Sequence, residues 1–462
     1  MAESSSITPV IAQSPSQADV STPSPEQVIS TTPPRIDVRG LSGLQNIGNT
    51  CYLNSALQSI AASTTFVAYL IAKKYVPQLK QNTIAKIVKT WRKHNPSYDA
   101  SMISKAIFIG IYKQTITYQA HKLMMTMFDA NNIVVPRTLR GIIGARNDTF
   151  RGFGQQDSQE VLNYILDEIH EETKQQDLTD ADIRYSNNVP PQVIEYINNI
   201  IAYDERIKVA TLPEDKSAIQ HEYLIYKQQH PNLYIFSKYL IYWRQYLVRN
   251  RSIISDLFMG VFCNEIKCTE CNNVNVNFET FMTLSLAIPT TGTTTLDACL
   301  RNFTVEEHLN GENQYNCDIC NRKVNAIKKS SIWKIPDYLI VQLKRFNIHG
   351  HTTYKVSTRV TLDDIDSINL KQYTVCDSLF DTQQTESPTY KLYASIHHTG
   401  GLSGGHYYAH RRNPLNDEWY ECDDAQVSHV PKSLIADQIS GAASTYMMMF
   451  RRNVQLSESD DI

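Results

Sequence analysis

The chain lacks any apolar run long enough to cross a bilayer: stretches such as Phe66 to Ala72 fall far short of the roughly 20 residues a membrane helix needs. It also lacks an excess of either charge. Lys and Arg number 44 and Asp and Glu 47, a formal net charge of −3 with 20% charged residues. There is therefore no electrostatic footprint for nucleic acid, and a polar partner must be recognised locally. The opening MAESSSITPV has neither a basic nor an apolar segment, so no secretory signal is expected and the chain reads as intracellular, cytoplasmic or nuclear. No internal repeat is found, which excludes a repeat array. Cysteine is sparse, nine in 462 residues. In an intracellular chain such cysteines point to metal binding or catalysis and away from disulfides.

A chain of 462 residues exceeds what one compact core holds, so two or three subdomains around a shared cleft are expected. Residues 1–35 are rich in Ser, Thr, Pro and Gln without periodicity and read as a disordered leader. Residues 453–462 form a short acidic tail. Between them the pattern is mostly helical from 41 to 257 and turns to period-two alternation from 258 onward, as in Met282, Leu284, Leu286, Ile288 and again from Tyr338 to Phe346. A helical half thus precedes a mainly β half, and an active cleft is expected at their junction.

Cys51 stands where a Gly-punctuated turn, with Gly43 and Gly48, becomes an amphipathic helix carried by Leu53, Ala56, Leu57 and Ile60. Unpaired N–H groups and the positive end of the macrodipole converge on a first helical turn, so the expectation is a lowered thiol pKa and a reactive thiolate. A packed core cysteine fits the same local sequence. What separates the two readings is a base and an orienting group elsewhere. Near the C-terminus, His406 follows Gly400, Gly401, Gly404 and Gly405 and opens an alternating strand through Tyr407, Ala409 and Arg411, which a turn at Asn413 and Pro414 ends. A second strand, 419–423, returns Asp423 and Asp424 alongside. Adjacent strands lie about 5 Å apart, within reach of a carboxylate that fixes an imidazole tautomer. His406 is the candidate general base and acid, and Asp423 its orienting group.

Two further patterns carry chemistry. Val161, Leu162, Ile165, Leu166 and Ile169 define a helix for which Asp157 is a natural N-cap, with Glu160 three residues on completing a capping box. Cys268 and Cys271 form one CxxC, Cys317 and Cys320 another; two such knuckles supply four thiolates for a structural zinc ion with no open position for catalysis. The intervening segment is longer than in a usual zinc ribbon. The leftover Cys263, Cys299, Cys376 and Cys422 are assigned to packing.

The segments GLQNIGNTCYLNSALQ and GGHYYAHRR with WYECDDAQVS resemble the cysteine and histidine boxes of the ubiquitin-specific protease family. GQQDSQEVLNYILDEI, LDACLRNFTVEEHLNGENQYNCDICNRK and IPDYLIVQLKRF resemble further family patterns, in the family's order. The resemblance spans residues 40–452. It implies an α+β fold of papain-like cysteine peptidase architecture: a helical thumb over 41–257, β fingers carrying the zinc site and the start of the palm over 258–345, and a β palm with the histidine box over 346–452. It implies Cys51 as nucleophile, His406 as base, Asp423 as third triad member, Asn46 as oxyanion donor and Asp424 as a second supporting acid. Gln155, Asp157 and Glu160 match positions that hold the extended, Arg-containing tail of ubiquitin, so ubiquitin and ubiquitinated proteins are the implied partners of a monomer with no nucleic acid or membrane partner. The implied activity is hydrolysis of the bond after the C-terminal glycine of ubiquitin, with structural zinc and no catalytic cofactor.

The sequence departs from the family where Cys422 replaces an aromatic residue and Val161 a larger apolar one. The segment 175–250 exceeds the family core; its stripe of Phe236, Leu240, Trp243 and Leu247 predicts helices packed onto the helical half, with a docking surface as the alternative. The loop His398 to Gly405 is a candidate lid with glycine hinges. Two other functional readings stay open at this point: a protease for another Gly-Gly-ended modifier, and an inactive ubiquitin-binding module.

Overall fold

The computed structural model describes residues 38–176, 178–179, 189–349, 352–374, 389–401 and 404–453. The leader, Cys376 and most of the acidic tail lie outside them. Among the described residues eleven α-helices come first: α1 (Cys51–Ala61), α2 (Thr64–Ile71), α3 (Val76–Arg92), α4 (Lys105–Lys113), α5 (Ile116–Asp129), α6 (Arg137–Arg146), α7 (Ser158–Thr173), α8 (Pro191–Val209), α9 (Pro213–Gln229), α10 (Pro231–Asn250) and α11 (Ile253–Leu257). The first long strand starts only at Gly260.

Helix α1 is the centre of the first core. The sequence predicts one apolar stripe, and Leu53, Ala56, Leu57 and Ile60 are indeed buried, but so are all eleven residues. The opposite face is polar without being wet. Asn54, Ser55 and Gln58 each find a partner: Leu44 and Asp424 for Asn54, the Ser158 hydroxyl for Ser55, and the Ser42 carbonyl for Gln58. Buried polar groups are tolerated only when bonded in this way, so these contacts fix where α1 lies. Buried residues of α5 and α7, among them Met124, Met127, Val161, Leu162, Ile165 and Leu166, pack into the same core.

The large sheet runs in the order Gln426–His429, Trp419–Asp423, Gly405–Arg412, Thr389–Gly400, Thr445–Arg452, Tyr338–Lys344, Thr283–Ala287, with Ile368–Asn369 added on Thr389–Gly400. Among these pairings only Thr283–Ala287 with Tyr338–Lys344 is parallel. Alternation sorts its side chains. Ile340, Ala394, Ile396, Tyr407, Met447 and Met449 face the helical core, while Leu339, Val341, Leu392, Met448 and Phe450 face a second core closed by Leu284, Leu296 and Trp419. A sheet buried on both faces needs apolar residues at successive positions, which is why Met447 to Phe450 form an unbroken run.

A smaller sheet has the order Val274–Phe281, Gly260–Cys268, Ala326–Lys334, Glu307–Leu309. Helices α8 and α10, from the long 175–250 segment, pack here: Tyr196, Tyr234 and Ile235 share a core with Val261, Cys263, Phe278 and Trp333. This corrects the expectation that the segment covers the helical half. The apolar stripe of α10 required a burial partner, and aromatic contacts of Tyr239 with Phe278 and Trp333 show that the β sheet supplies it.

Candidate active site

The turn before α1 is built by Asn46. Its Oδ1 accepts from the backbone N–H groups of Gly48 and Thr50, both at 3.1 Å. Those obligate donors fix the amide orientation, so Nδ2 points outward and donates to Asp424 Oδ2 at 2.9 Å. One N–H of that amide is left to donate elsewhere. Gly43 lets this turn meet the far end of the chain: a Cβ there would lie 2.1 Å from the Ala425 carbonyl oxygen, and Leu44 N–H donates to the Asp424 carbonyl at 2.7 Å.

Cys51 is the first residue of α1 and is 3% exposed. The expectation of a lowered thiol pKa is overturned. Burial pushes the thiol up, and the Asp424 carboxylate adds to the rise; the backbone N–H groups of Tyr407, Tyr52 and Cys51 itself pull it down without prevailing. The helix start acts as predicted, but desolvation of a nearly enclosed sulfur outweighs it. The contact with Tyr407 matters for another reason, since it places the sulfur against the residue that follows His406.

His406 opens the strand Gly405–Arg412, and Asp423 ends the neighbouring strand Trp419–Asp423, one step past the Ala409–Cys422 pair. His406 Nε2 lies 2.5 Å from Asp423 Oδ1. With Nε2 so tied, Nδ1 is the nitrogen left to exchange a proton with a neighbour. Asp424 adopts φ 49°, a left-handed conformation, and one of its carboxylate oxygens lies within 4.8 Å of a His406 ring nitrogen and an Asp423 oxygen. Its two oxygens accept from Asn46 and from Asn54, the latter at 2.8 Å. The sequence reading missed Asn54, although it lies one helical turn after Cys51 and so on the same side of α1.

The acidic helix start is also assembled. Asp157 caps α7, accepting from Gln159 N–H at 2.6 Å and Glu160 N–H at 3.3 Å. The predicted return bond from Glu160 is not formed, and Asp157 Oδ2 instead accepts from Tyr446 at 2.7 Å. Glu160 is lifted above its ordinary value by desolvation and by the Asp157 carboxylate. Gln155 reaches across to the other side. Its side-chain amide donates to the Gly405 carbonyl at 2.6 Å and accepts from Gly405 N–H at 2.8 Å, as a strand neighbour does. The candidate lid, of which Leu402 and Ser403 lie outside the described residues, is largely a hairpin: His398 to Gly400 pair with Tyr407 to Gly405, and Lys355 Nζ donates to the carbonyls of His398 and Gly400 at 2.6 and 3.1 Å.

The two CxxC pairs converge at one end of the smaller sheet. Cys268 Sγ lies 3.9 Å from Cys320 Sγ, and Cys271 Sγ 3.6 Å from Cys317 Sγ, with all four sulfurs within 4.8 Å of one another. Four thiolates at the usual zinc–sulfur distance have tetrahedral edges of about 3.8 Å, so the set fits. The two knuckles repeat one geometry: Asn272 and Asn321, each just after the second cysteine, take φ 54° and 51°. Glu270 and Cys271 N–H groups donate to Cys268 Sγ, both at 3.4 Å. Cys263, Cys299 and Cys422 are buried and free.

A cysteine at a helix start, a carboxylate-bound histidine on a strand beside it and an amide donor in the preceding turn define a thiol hydrolase of papain-like architecture. The family model described as ubiquitin carboxyl-terminal hydrolase matches residues 42–450, and the chain belongs to that family of cysteine-type hydrolases, the deubiquitinases. Probable ubiquitin carboxyl-terminal hydrolase R319 of Acanthamoeba polyphaga mimivirus is 28% identical over 446 residues, covering 90% of this chain and 91% of that protein. Human ubiquitin carboxyl-terminal hydrolase 2 is 28% identical over 401 residues; the match takes in 86% of this chain but only 53% of the human protein. Among solved structures, the SAGA Ubp8/Sgf11/Sus1/Sgf73 DUB module bound to ubiquitin aldehyde contains a chain superposing with a TM-score of 0.57 at 19% identity, over 92% of this chain and 72% of that one. That likeness carries the fold.

Proposed function

We propose that the chain releases ubiquitin by acyl transfer through Cys51. The observation that carries this reading is the seam itself: His406 Nε2 bound to Asp423 at 2.5 Å, with Cys51 held against the next residue of the same strand. His406 Nδ1 takes the thiol proton, and Cys51 Sγ attacks the carbonyl carbon of the terminal glycine. The oxyanion accepts from the remaining Asn46 N–H and from the backbone at the start of α1. The carbon–nitrogen bond then breaks as His406 returns the proton to the departing amine. Water, deprotonated by His406, hydrolyses the thioester and restores the thiol.

Asp423 holds the imidazole tautomer, and Asp424 with Asn54 holds Asn46. On the substrate side, Asp157 and Glu160 present carboxylates to an arginine-bearing tail, and Gln155 beside Gly405 borders a passage for residues without side chains. Cys268, Cys271, Cys317 and Cys320 would hold a structural zinc ion, whose part there would be cross-linking of the fingers and not catalysis. The chain acts as a monomer inside the cell, in cytoplasm or nucleus, with neither nucleic acid nor membrane as partner; among the described residues no helix is long and apolar enough to cross a membrane.

The test is turnover of a fluorogenic ubiquitin conjugate by the full chain and by Cys51→Ala. Loss of turnover with retained ubiquitin binding is expected; undiminished cleavage by the variant contradicts the assignment. Running conjugates of other Gly-Gly-ended modifiers in parallel decides which modifier is preferred.

A further inference from the structure

Lys227, on α9 of the inserted segment, is 8% exposed, an unusual place for an ammonium group. Its Nζ donates to Asn273 Oδ1 at 2.9 Å and Asn275 Oδ1 at 3.4 Å and lies 4.2 Å from the centre of the Tyr234 ring. All three partners are neutral. Among the described residues no carboxylate stands at ion-pair distance from it. A buried charge without a countercharge is costly. Burial pushes the Lys227 ammonium down to about 8 and Lys238 adds to the fall, while Cys271, the Asp318 carboxylate and Cys317 favour its charged form.

Two details tie the same helix to the knuckle backbone. Gln228 Nε2 donates to the Cys271 carbonyl at 3.0 Å, and the Asn273 carbonyl accepts from Cys268 N–H at 3.0 Å. Asn273 is itself 4% exposed and thus stands as a buried relay between Lys227 and the first CxxC pair. Four thiolates around one divalent zinc carry a net charge of −2. That gives Lys227 a countercharge beyond the Asp318 carboxylate, which it reaches only through Asn275, and outer-shell groups of this kind tune how firmly a metal is held.

We infer that the inserted helix α9 is an outer-shell support of the metal knuckle, with Lys227 as its buried countercharge and Gln228 and Asn273 as its backbone clamps. The inference rests on the reading of the four cysteines as a zinc site. It gives the 175–250 segment a role: by lowering the net charge of the thiolate cluster and shielding it, the segment slows metal loss.

The test is the rate of zinc release from the full chain to a chromogenic chelator, with zinc content measured beforehand. Lys227→Met, which keeps the volume and removes the charge, is expected to release zinc at least tenfold faster than the unsubstituted chain, while Lys227→Arg stays near the original rate. Equal release by the chain and by Lys227→Met, or equally fast release by the Arg and Met variants, overturns the inference. Should Lys227→Met fail to fold, Asn273→Ala, which removes the lysine's acceptor, carries the same readout, and an unchanged rate there overturns it too. A chain that purifies without zinc and binds none overturns the metal reading itself, a result distinct from unchanged release by a zinc-loaded variant.

Discussion

The catalytic seam and the fingers with their inserted helices are built on different principles. At the seam, residues far apart in sequence are joined by polar contacts whose chemical types are fixed: a sulfur, an imidazole, carboxylates and amides, each with a particular partner. In the fingers, apart from the four cysteines and the polar contacts of Lys227 and Gln228, much of the joining is aromatic packing, as between Tyr239, Phe278 and Trp333, for which many side chains of similar shape serve. The contrast sets residue-specific chemistry at the seam apart from shape-based packing in the fingers. Substitutions at the seam are expected to remove turnover and leave the fold; substitutions in the fingers are expected to do the reverse.

The sharpest break of that contrast is a pair of variants. Cys51→Ala is expected to lose on the order of 10⁴-fold or more in turnover with its melting temperature nearly unchanged. Cys317→Ser, which removes one thiolate from the tetrahedral set, is expected to lower the melting temperature by more than about 5 °C. If Cys51→Ala instead melts early, or Cys317→Ser does not, the two regions are not separate in this sense. Calorimetry beside a kinetic assay reads both.

Asn46→Ala comes next. Removal of an oxyanion donor costs about 10² to 10³ in kcat, with KM largely kept. A comparable rise in KM without loss of kcat points to substrate binding in its place. The reactivity of Cys51 toward a small alkylating agent, without ubiquitin, tests the electrostatics. Because burial raises the thiol pKa, the thiolate fraction grows with pH through the neutral range, and the rate is expected to keep rising from pH 7 to 9 without levelling off. A plateau across that range shows a preformed thiolate instead.

The smallest effect is assigned to Asn54→Ala, about tenfold in kcat, since it acts through Asp424 and Asn46. In the double variant with Asn46→Ala the two losses are expected to fall short of their product, as befits groups in one hydrogen-bond chain. Full multiplication of the losses separates Asn54 from the oxyanion donor.

The seam was legible in the sequence because its chemistry restricts residue type. Cys51 at a helix start, His406 on a glycine-led strand and Asp423 on its neighbour all follow from sequence patterns; the structure pairs His406 with Asp423 and sets Cys51 against Tyr407, the residue after His406. The pKa of Cys51 was not legible, since a helix terminus shows in the sequence and the burial of its sulfur does not. Asn54 escaped for a related reason: its partner, Asp424, lies hundreds of residues away and nothing local marks the pair. The placement of α10 failed differently. Its stripe of Phe236, Leu240 and Trp243 states that a face is buried but not what covers it, and the smaller sheet, not the helical core, supplied that cover.

Whether Cys51 is the nucleophile of a ubiquitin hydrolase is decided by incubating the full chain with ubiquitin bearing a C-terminal electrophile and mapping the adduct by mass spectrometry. One ubiquitin per chain is expected, attached at Cys51, with none on Cys51→Ala and slow labelling of His406→Ala. An adduct on another cysteine, or none on the folded, ubiquitin-binding chain, contradicts that role for Cys51.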